Sequence, residues 1–533
     1  MKKMTYRLTL LVALLALALT TIQAAPEAEY GKITKSWTLR ADGSQEYRRY
    51  MELTLFTHAA MNRAYGESFI TYNPDYQELK INDSFTRQKD GTIVRTPANA
   101  FVEVLPRFAT DAPAFNRLKE MVVVHTGLEL GATIYLDYTI VSKPGYYPAL
   151  DIDELLQETS PVKEYEVSVT APLAKEIAWQ LTGKEARPTV KEQEGMRTIS
   201  WKLRNQPAAS RESLLPLNHD GVARLTATTY QSTEEALRLL ADRMKGAVSY
   251  ESRTFGPYLC EGAKNDAEKV KRIQTHIARQ MGYAPIPMEL TGYTLRDADD
   301  ALRTAYGTEA EKCQLLNAML NAADIRAEIV AVYPGTLDAD RCGLKPIREL
   351  AVKATVDGQT RYLSATRENS TIARRGGLDK VFTLDHQPLT IEPEVVSIDK
   401  REEVKPSAES ASDGYIICTL PAPNGGAESW GTAALPSHRE ETLKLSALLN
   451  ERITYIVTPA KGTRLLNSPA KTQQTVNEPF GKLTQTITDK GETIEVTRSI
   501  ELNRRQFSPA EYPSLRALLN AWNDPNARVL LFE

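Results

Sequence analysis

The chain has 533 residues, 42% of them apolar, 25% charged and 7% aromatic, with 28 Gly and 29 Pro, which are the proportions of a globular protein and exclude a disordered, collagen-like or disulfide-scaffold chain. Its length suggests about three domains, each able to bury a core. A formal net charge of -3 gives no electrostatic reason to seek DNA, RNA or anionic lipid, and the single long apolar run, at the very start, excludes a multi-span membrane protein.

That run reads as a secretory signal peptide. Lys2, Lys3 and Arg7 form a basic start, Leu8 to Leu19 is almost wholly Leu, Ala, Val and Thr, and Thr20 to Ala25 ends in small residues. The apolar stretch is shorter than the roughly 20 residues a membrane span needs. Cleavage is expected after Ala24, and with it export to the periplasm or the cell surface, with no membrane span remaining. None of Cys260, Cys313, Cys342 and Cys418 belongs to a Cys-x-x-Cys pair, so zinc and redox motifs are absent. For an exported chain one disulfide is possible, and Cys260 with Cys342 is the first pair to test.

From Tyr30 to about Leu225 the sequence predicts short strands, among them 51–56, 78–81, 92–95, 121–125, 133–142, 165–170 and 198–203, with Asp90-Gly91 at a hairpin tip. Many strands with few helical periods predict an N-terminal antiparallel β-sandwich over 25–232. Helical spacing begins after Thr233. Helices are predicted at 234–245, at 266–281 with Asn265 as cap, at 299–304, and at 308–323, where Thr308 and Glu311 form a capping box ahead of Leu315, Leu316, Met319 and Leu320. A strand at 328–333 and a hairpin of 349–356 with 361–363, turning at Asp357-Gly358, complete an α+β unit over 233–390. Val404 to Asp413 and Pro421 to Gly426 have linker or loop composition. Strands at 453–458, 483–488 and 492–502 and a last helix from about Pro509 to Trp522 predict a smaller C-terminal β-sandwich over 391–533.

The middle segment resembles the transglutaminase-like domains, of the papain-like cysteine peptidase and transglutaminase fold. The resemblance rests on Tyr-Gly-Thr-Glu-Ala-Glu-Lys-Cys-Gln-Leu-Leu-Asn-Ala-Met-Leu at Tyr306 to Leu320, Ala-Asp-Ile-Arg-Ala at Ala323 to Ala327, and Tyr-Leu-Ser-Ala-Thr at Tyr362 to Thr366. Tyr72-Asn73-Pro74, Asp90-Gly91 and Leu128-Glu129-Leu130-Gly131 resemble an uncharacterised β-rich domain that precedes such cores in exported proteins of Bacteroides-type bacteria.

In active relatives that helix opens Gly-Asp-Cys-Lys. The helix N-terminus lowers the thiol pKa, a His deprotonates the thiol and an Asp orients the His. Here Gly307 is followed by Thr308 and Glu309, so the resemblance puts Glu309 at the nucleophile position, Glu349 at the His position and Ser364 at the Asp position. A glutamate cannot form the thioester this mechanism requires. No catalytic residue, cofactor or metal is therefore expected, and the resemblance implies an exported binding or scaffolding protein whose partner is a peptide, a protein or a cell-envelope polymer.

The rival is a cysteine hydrolase or amide transferase with a displaced nucleophile. Cys313, one helical turn after Glu309, is the fallback, although none of His58, His125, His219, His276, His386 and His438 lies between it and Ser364. Glu309 and Glu349 are also a possible carboxylate pair with one raised pKa, with Arg348 and Lys312 as expected ion-pair partners. Asp297, Asp299 and Asp300 look like half a calcium loop, but the Gly and the distal Glu are missing, so they read as helix-capping residues. The five tryptophans stand in separate segments; a row of exposed aromatics on the first sandwich would suggest glycan or peptide binding.

Overall fold

The computed structural model describes residues 26–215, 222–244, 250–368, 372, 375–406, 411–412, 414–467 and 473–533. The expected leader (1–24) and His219 lie outside them. The chain is multidomain and rich in β-structure, with three large hydrophobic cores drawn from residues 28–227, 230–382 and 418–532.

The first core lies against an eight-stranded sheet whose spatial order is Thr189–Gln193, Met196–Gln206, Val162–Pro172, Ala28–Leu39, Gln45–Leu55, Thr133–Ser142, Gln77–Arg87 and Ile93–Arg95. Side-chain alternation sets the buried face of the first strand, and a register shift between Tyr30 and Lys32 changes its phase. Ala28 and Tyr30 point inward before the shift; Ile33, Lys35, Trp37 and Leu39 do so after it. The expectation of a purely antiparallel sheet is corrected here, because Ala28–Leu39 pairs parallel with Val162–Pro172. Parallel neighbours need a long crossover, and the intervening strands supply it. A second parallel pair joins Val395–Val404 to Leu448–Val457.

The second core is built by helices α1 (Thr233–Met244), α2 (Tyr250–Leu259), α3 (Asp266–Thr275), α4 (Ala298–Thr304) and α5 (Glu309–Ala322). They accompany an antiparallel sheet ordered Gln359–Ser364, Glu349–Val356, Ala327–Pro334, Asp379–Thr383 and Pro388–Leu389. Helix α5 is buried on almost every side, as a helix enclosed between other helices and a sheet must be. Helix α2 has no counterpart in the sequence reading because Gly256 and Pro257 interrupt its pattern. Gly256 is required by packing: a Cβ there would meet the Met319 carbonyl oxygen at 2.6 Å, so α2 crosses α5 backbone to backbone. Asp299 is a capping residue, but for α2, where its carboxylate accepts Glu251 N–H and Ser252 N–H, both at 3.1 Å. Past Thr275 the predicted 266–281 helix loosens into one π turn, His276–Gln280.

In the third core, helix α6 (Tyr512–Asn523) buries Leu515, Leu518, Leu519 and Trp522. No helix among the described residues is long and apolar enough to cross a membrane. The Cys260–Cys342 pairing is also corrected: all four cysteines are free. Cys342 Sγ approaches the Asp338 carbonyl at 2.9 Å and Cys260 Sγ the Lys269 carbonyl at 3.9 Å, so each thiol is engaged locally.

Candidate functional site

The N-terminus of α5 is held rigidly. Thr308 Oγ1 accepts Glu311 N–H at 3.3 Å, and Glu311 Oε2 accepts Thr308 N–H at 2.9 Å, a reciprocal capping box. Arg296 grips the same carboxylate, Nε to Oε1 at 3.1 Å and Nη2 to Oε2 at 2.9 Å, while its guanidinium lies 4.5 Å from the Tyr306 ring centroid. Glu309 therefore opens the helix in a fixed place, largely shielded from water. Burial, and then repulsion by Glu349, push its carboxyl up to about 7, against the weaker pull of the Leu350 N–H, which it accepts at 3.5 Å, and of Arg367.

Glu349 starts the strand Glu349–Val356 and is buried, with Arg367 Nη2 at 3.2 Å from its Oε1. Cys313 is fully buried one turn along α5 and donates its thiol hydrogen to the Leu350 carbonyl at 3.0 Å. Burial first, then Glu309 and Glu349, push that thiol well above its ordinary value. A thiol held protonated in this way is a poor nucleophile. Ser364 is buried at the end of the neighbouring strand, opposite Ala351, and its hydroxyl accepts the Thr366 N–H at 3.3 Å.

The described histidines are engaged elsewhere or exposed. His125 Nε2 bonds Ser68 Oγ at 2.9 Å, and burial pushes it down to about 4. His276 Nδ1 bonds Gln280 at 2.7 Å, His386 stacks on Phe382 and reaches the Ala339 carbonyl, and His58 and His438 are exposed.

The two expected partners of the carboxylates are corrected. Arg348 pairs with Asp379 at 2.8 Å. Lys312, fully buried, donates to the Met281 carbonyl at 3.1 Å, and burial pushes it down to about 8. The cation that does pair with Glu349, Arg367, lies just beyond Tyr-Leu-Ser-Ala-Thr and carried no signal of its own in the sequence. Beside Glu349 and Arg367 opens a cleft of about 650 Å³, lined also by Arg224, Arg348, Arg375 and Asp379. The arrangement offers two mutually repelling carboxylates, one of them with a raised pKa, beside a charged cleft, and a thiol held protonated.

Two models of protein families match parts of the chain. Residues 41–210 match the model of a domain of unknown function, DUF3857, and residues 415–532 that of another, DUF3858. A crystal structure described as a "putative protease" from Parabacteroides distasonis is 56% identical, with a TM-score of 0.89, covering 95% of this chain and 99% of that one. A "putative cysteine protease" from Cytophaga hutchinsonii is 14% identical with a TM-score of 0.20, covering 44% of this chain and 84% of that one, a likeness too slight to carry an argument. No curated protein matches the chain.

Proposed function

Because the chain belongs to the family of the Parabacteroides distasonis protein, which it matches over 95% of its length, we propose that it is an exported protein with a transglutaminase-like core that has lost its thiol chemistry and acts by binding. Glu309, Glu349 and Ser364 stand in this reading for the nucleophile, base and orienting acid of active relatives, and none of them is the Cys, His or Asp that the thiol mechanism needs. The observation that carries the reading is Cys313: it is fully buried, bonded to the Leu350 carbonyl and held protonated by its surroundings. A core can persist for packing after its site has gone. The partner would be a peptide, a protein or a cell-envelope polymer.

The description of the relative as a protease favours a second reading, a hydrolase in which Cys313 becomes exposed and acts as a displaced nucleophile. Labelling the folded chain with iodoacetamide near neutral pH separates the two. Sluggish modification of Cys313, with no hydrolysis or amide transfer on peptide substrates, supports the binding reading; fast, site-selective modification of Cys313 overturns it.

A further inference from the structure

The N-terminal unit holds a separate three-stranded sheet in the order Glu67–Tyr72, Lys119–Val124 and Phe101–Val104, so Glu67–Tyr72 is an edge strand. Its register runs without a bulge from Glu67 opposite Val124 to Tyr72 opposite Lys119, and just before it the His125 N–H donates to the Gly66 carbonyl at 2.9 Å. In the antiparallel alternation the backbones of Ser68 and Ile70 therefore bond to the neighbouring strand, while those of Phe69 and Thr71 face the open side. Among the described residues nothing bonds to the N–H or the carbonyl of either. Natural sheets blunt a free edge with Lys, Pro or a bulge. Ser68 to Thr71 has none of these, and Phe69 is 58% exposed.

Phe69, Ile70 and Thr71 also line a cavity of about 300 Å³, to which the central unit contributes Glu289 and Leu290. Three consecutive residues of a strand meet one space along its edge, because their side chains alternate between faces. The cavity has an aromatic wall of Trp37, Tyr47 and Tyr138, with ring centroids 5.2 Å apart for the first two and 6.2 Å for the last two. Most of its charges are already matched: Glu46 pairs with Arg40, Glu154 pairs with Lys35 at 2.6 Å, and Asp151 accepts the Leu344 and Lys345 N–H groups. Glu289 and the Lys345 side chain, of opposite sign, remain. Such a space suits an apolar or aromatic side chain better than an ion.

We propose that the edge strand Glu67–Tyr72 takes up an extended peptide as an additional strand, through the backbone groups of Phe69 and Thr71, and that the cavity beside it receives one large apolar or aromatic side chain of that peptide. Main-chain bonds supply the affinity of such an addition, and a pocket for alternate side chains supplies its specificity. A sugar would stack on the aromatic wall but carries no row of N–H and C=O groups spaced to match the edge. The proposal deepens the binding reading, on which it rests, by naming an extended peptide as the partner and seating it at the junction of the N-terminal and central units.

Fluorescence anisotropy of the full chain with dye-labelled, end-blocked pentapeptides Thr-Val-Xaa-Val-Thr, Xaa being Phe, Leu, Lys or Glu, tests this, with chitotriose titrated calorimetrically in a second arm. Saturable peptide binding is expected, at least tenfold tighter with Phe or Leu than with Lys or Glu. N-methylation of one alternate set of peptide amides should weaken it at least tenfold and of the other set hardly at all, the signature of an added strand. Thr71→Pro removes an N–H that the ladder does not use and should weaken binding at least tenfold. Phe69→Ala, at an exposed position, should also weaken it and carries the test even if Thr71→Pro does not fold. Absence of saturable binding by every peptide, equal loss with both methylated sets, unchanged binding in folded Thr71→Pro or in Phe69→Ala, or binding of chitotriose in place of the peptides overturns the proposal. Each of these leaves Cys313 labelling unchanged and so counts against the strand site alone, whereas fast labelling counts against the binding reading.

Discussion

Glu309 and Glu349 repel one another across the N-terminus of α5, and among the described residues only Glu349 has a guanidinium in contact. Of those residues Arg367 pairs with Glu349 at 3.2 Å, while Glu309 has the Leu350 N–H at 3.5 Å and the positive end of the helix. The balance falls against ionised Glu309, whose carboxyl is pushed up to about 7, chiefly by burial and next by Glu349.

Stability should therefore fall with pH over a defined window. The folded chain holds the Glu309 proton up to about pH 7, whereas an unfolded chain releases it near 4.5. No penalty exists below the lower value; it accumulates as pH rises and is complete above the upper one, at on the order of 3 kcal/mol. Glu309→Gln should raise the denaturation midpoint at pH 8 and leave it nearly unchanged at pH 4.5. Equal effects at both values would show that burial of Glu309 carries no such cost.

Glu311 is the opposite case, a buried carboxylate fully used. It closes the capping box and accepts Arg296 through both oxygens. Removing one partner of such a pair strands the other, so Glu311→Ala should cost roughly 3–5 kcal/mol. Glu311→Gln, which keeps acceptor and shape, should cost less. Urea unfolding of the three chains checks the order; a neutral alanine variant would mean that the Arg296 clamp contributes nothing.

The contact between the N-terminal and central units depends on Gly343. Asp151 Oδ2 accepts the Leu344 and Lys345 N–H groups at 2.7 and 2.8 Å, and a Cβ on residue 343 would lie 2.0 Å from Asp151 Oδ1. Gly343→Ala should therefore destabilise the chain by roughly 1–3 kcal/mol and speed proteolysis between the two units. An alanine variant as stable as wild type would show that this loop can yield.

Much of this architecture is local in origin and hence legible in the sequence. Asp90-Gly91 and Asp357-Gly358 mark hairpins because their turns need positive φ, observed at +91° for Gly91, +48° for Asp357 and +77° for Gly358. Thr308 and Glu311 predict the start of α5 because the cap is a three-residue interaction. What escaped the sequence depends on distant partners. Gly256 and Pro257 disguise α2, whose glycine is explained only by the Met319 carbonyl it touches. The parallel pairing of Ala28–Leu39 with Val162–Pro172 joins segments over a hundred positions apart in the chain. Arg348 and Lys312 are near Glu349 and Glu309 in sequence, yet side-chain direction sends one to Asp379 and the other to the Met281 carbonyl, leaving Glu349 to Arg367.

That last pairing can be tested through its neighbour. Arg367 draws the Glu309 carboxyl downward, opposing burial and Glu349. Arg367→Gln would remove the guanidinium that pairs with Glu349 and draws the Glu309 carboxyl down, so the upper end of the pH window for stability should move above 7. Because the Arg367 side chain is 55% exposed, water and salt screen its field, and the displacement should stay under about one pH unit and shrink as ionic strength rises. Stability curves from pH 4 to 9, at low salt and again at high salt, measure it. A window that stays in place at low salt would mean that the guanidinium only accompanies Glu349 and exerts no hold over the protonation of Glu309.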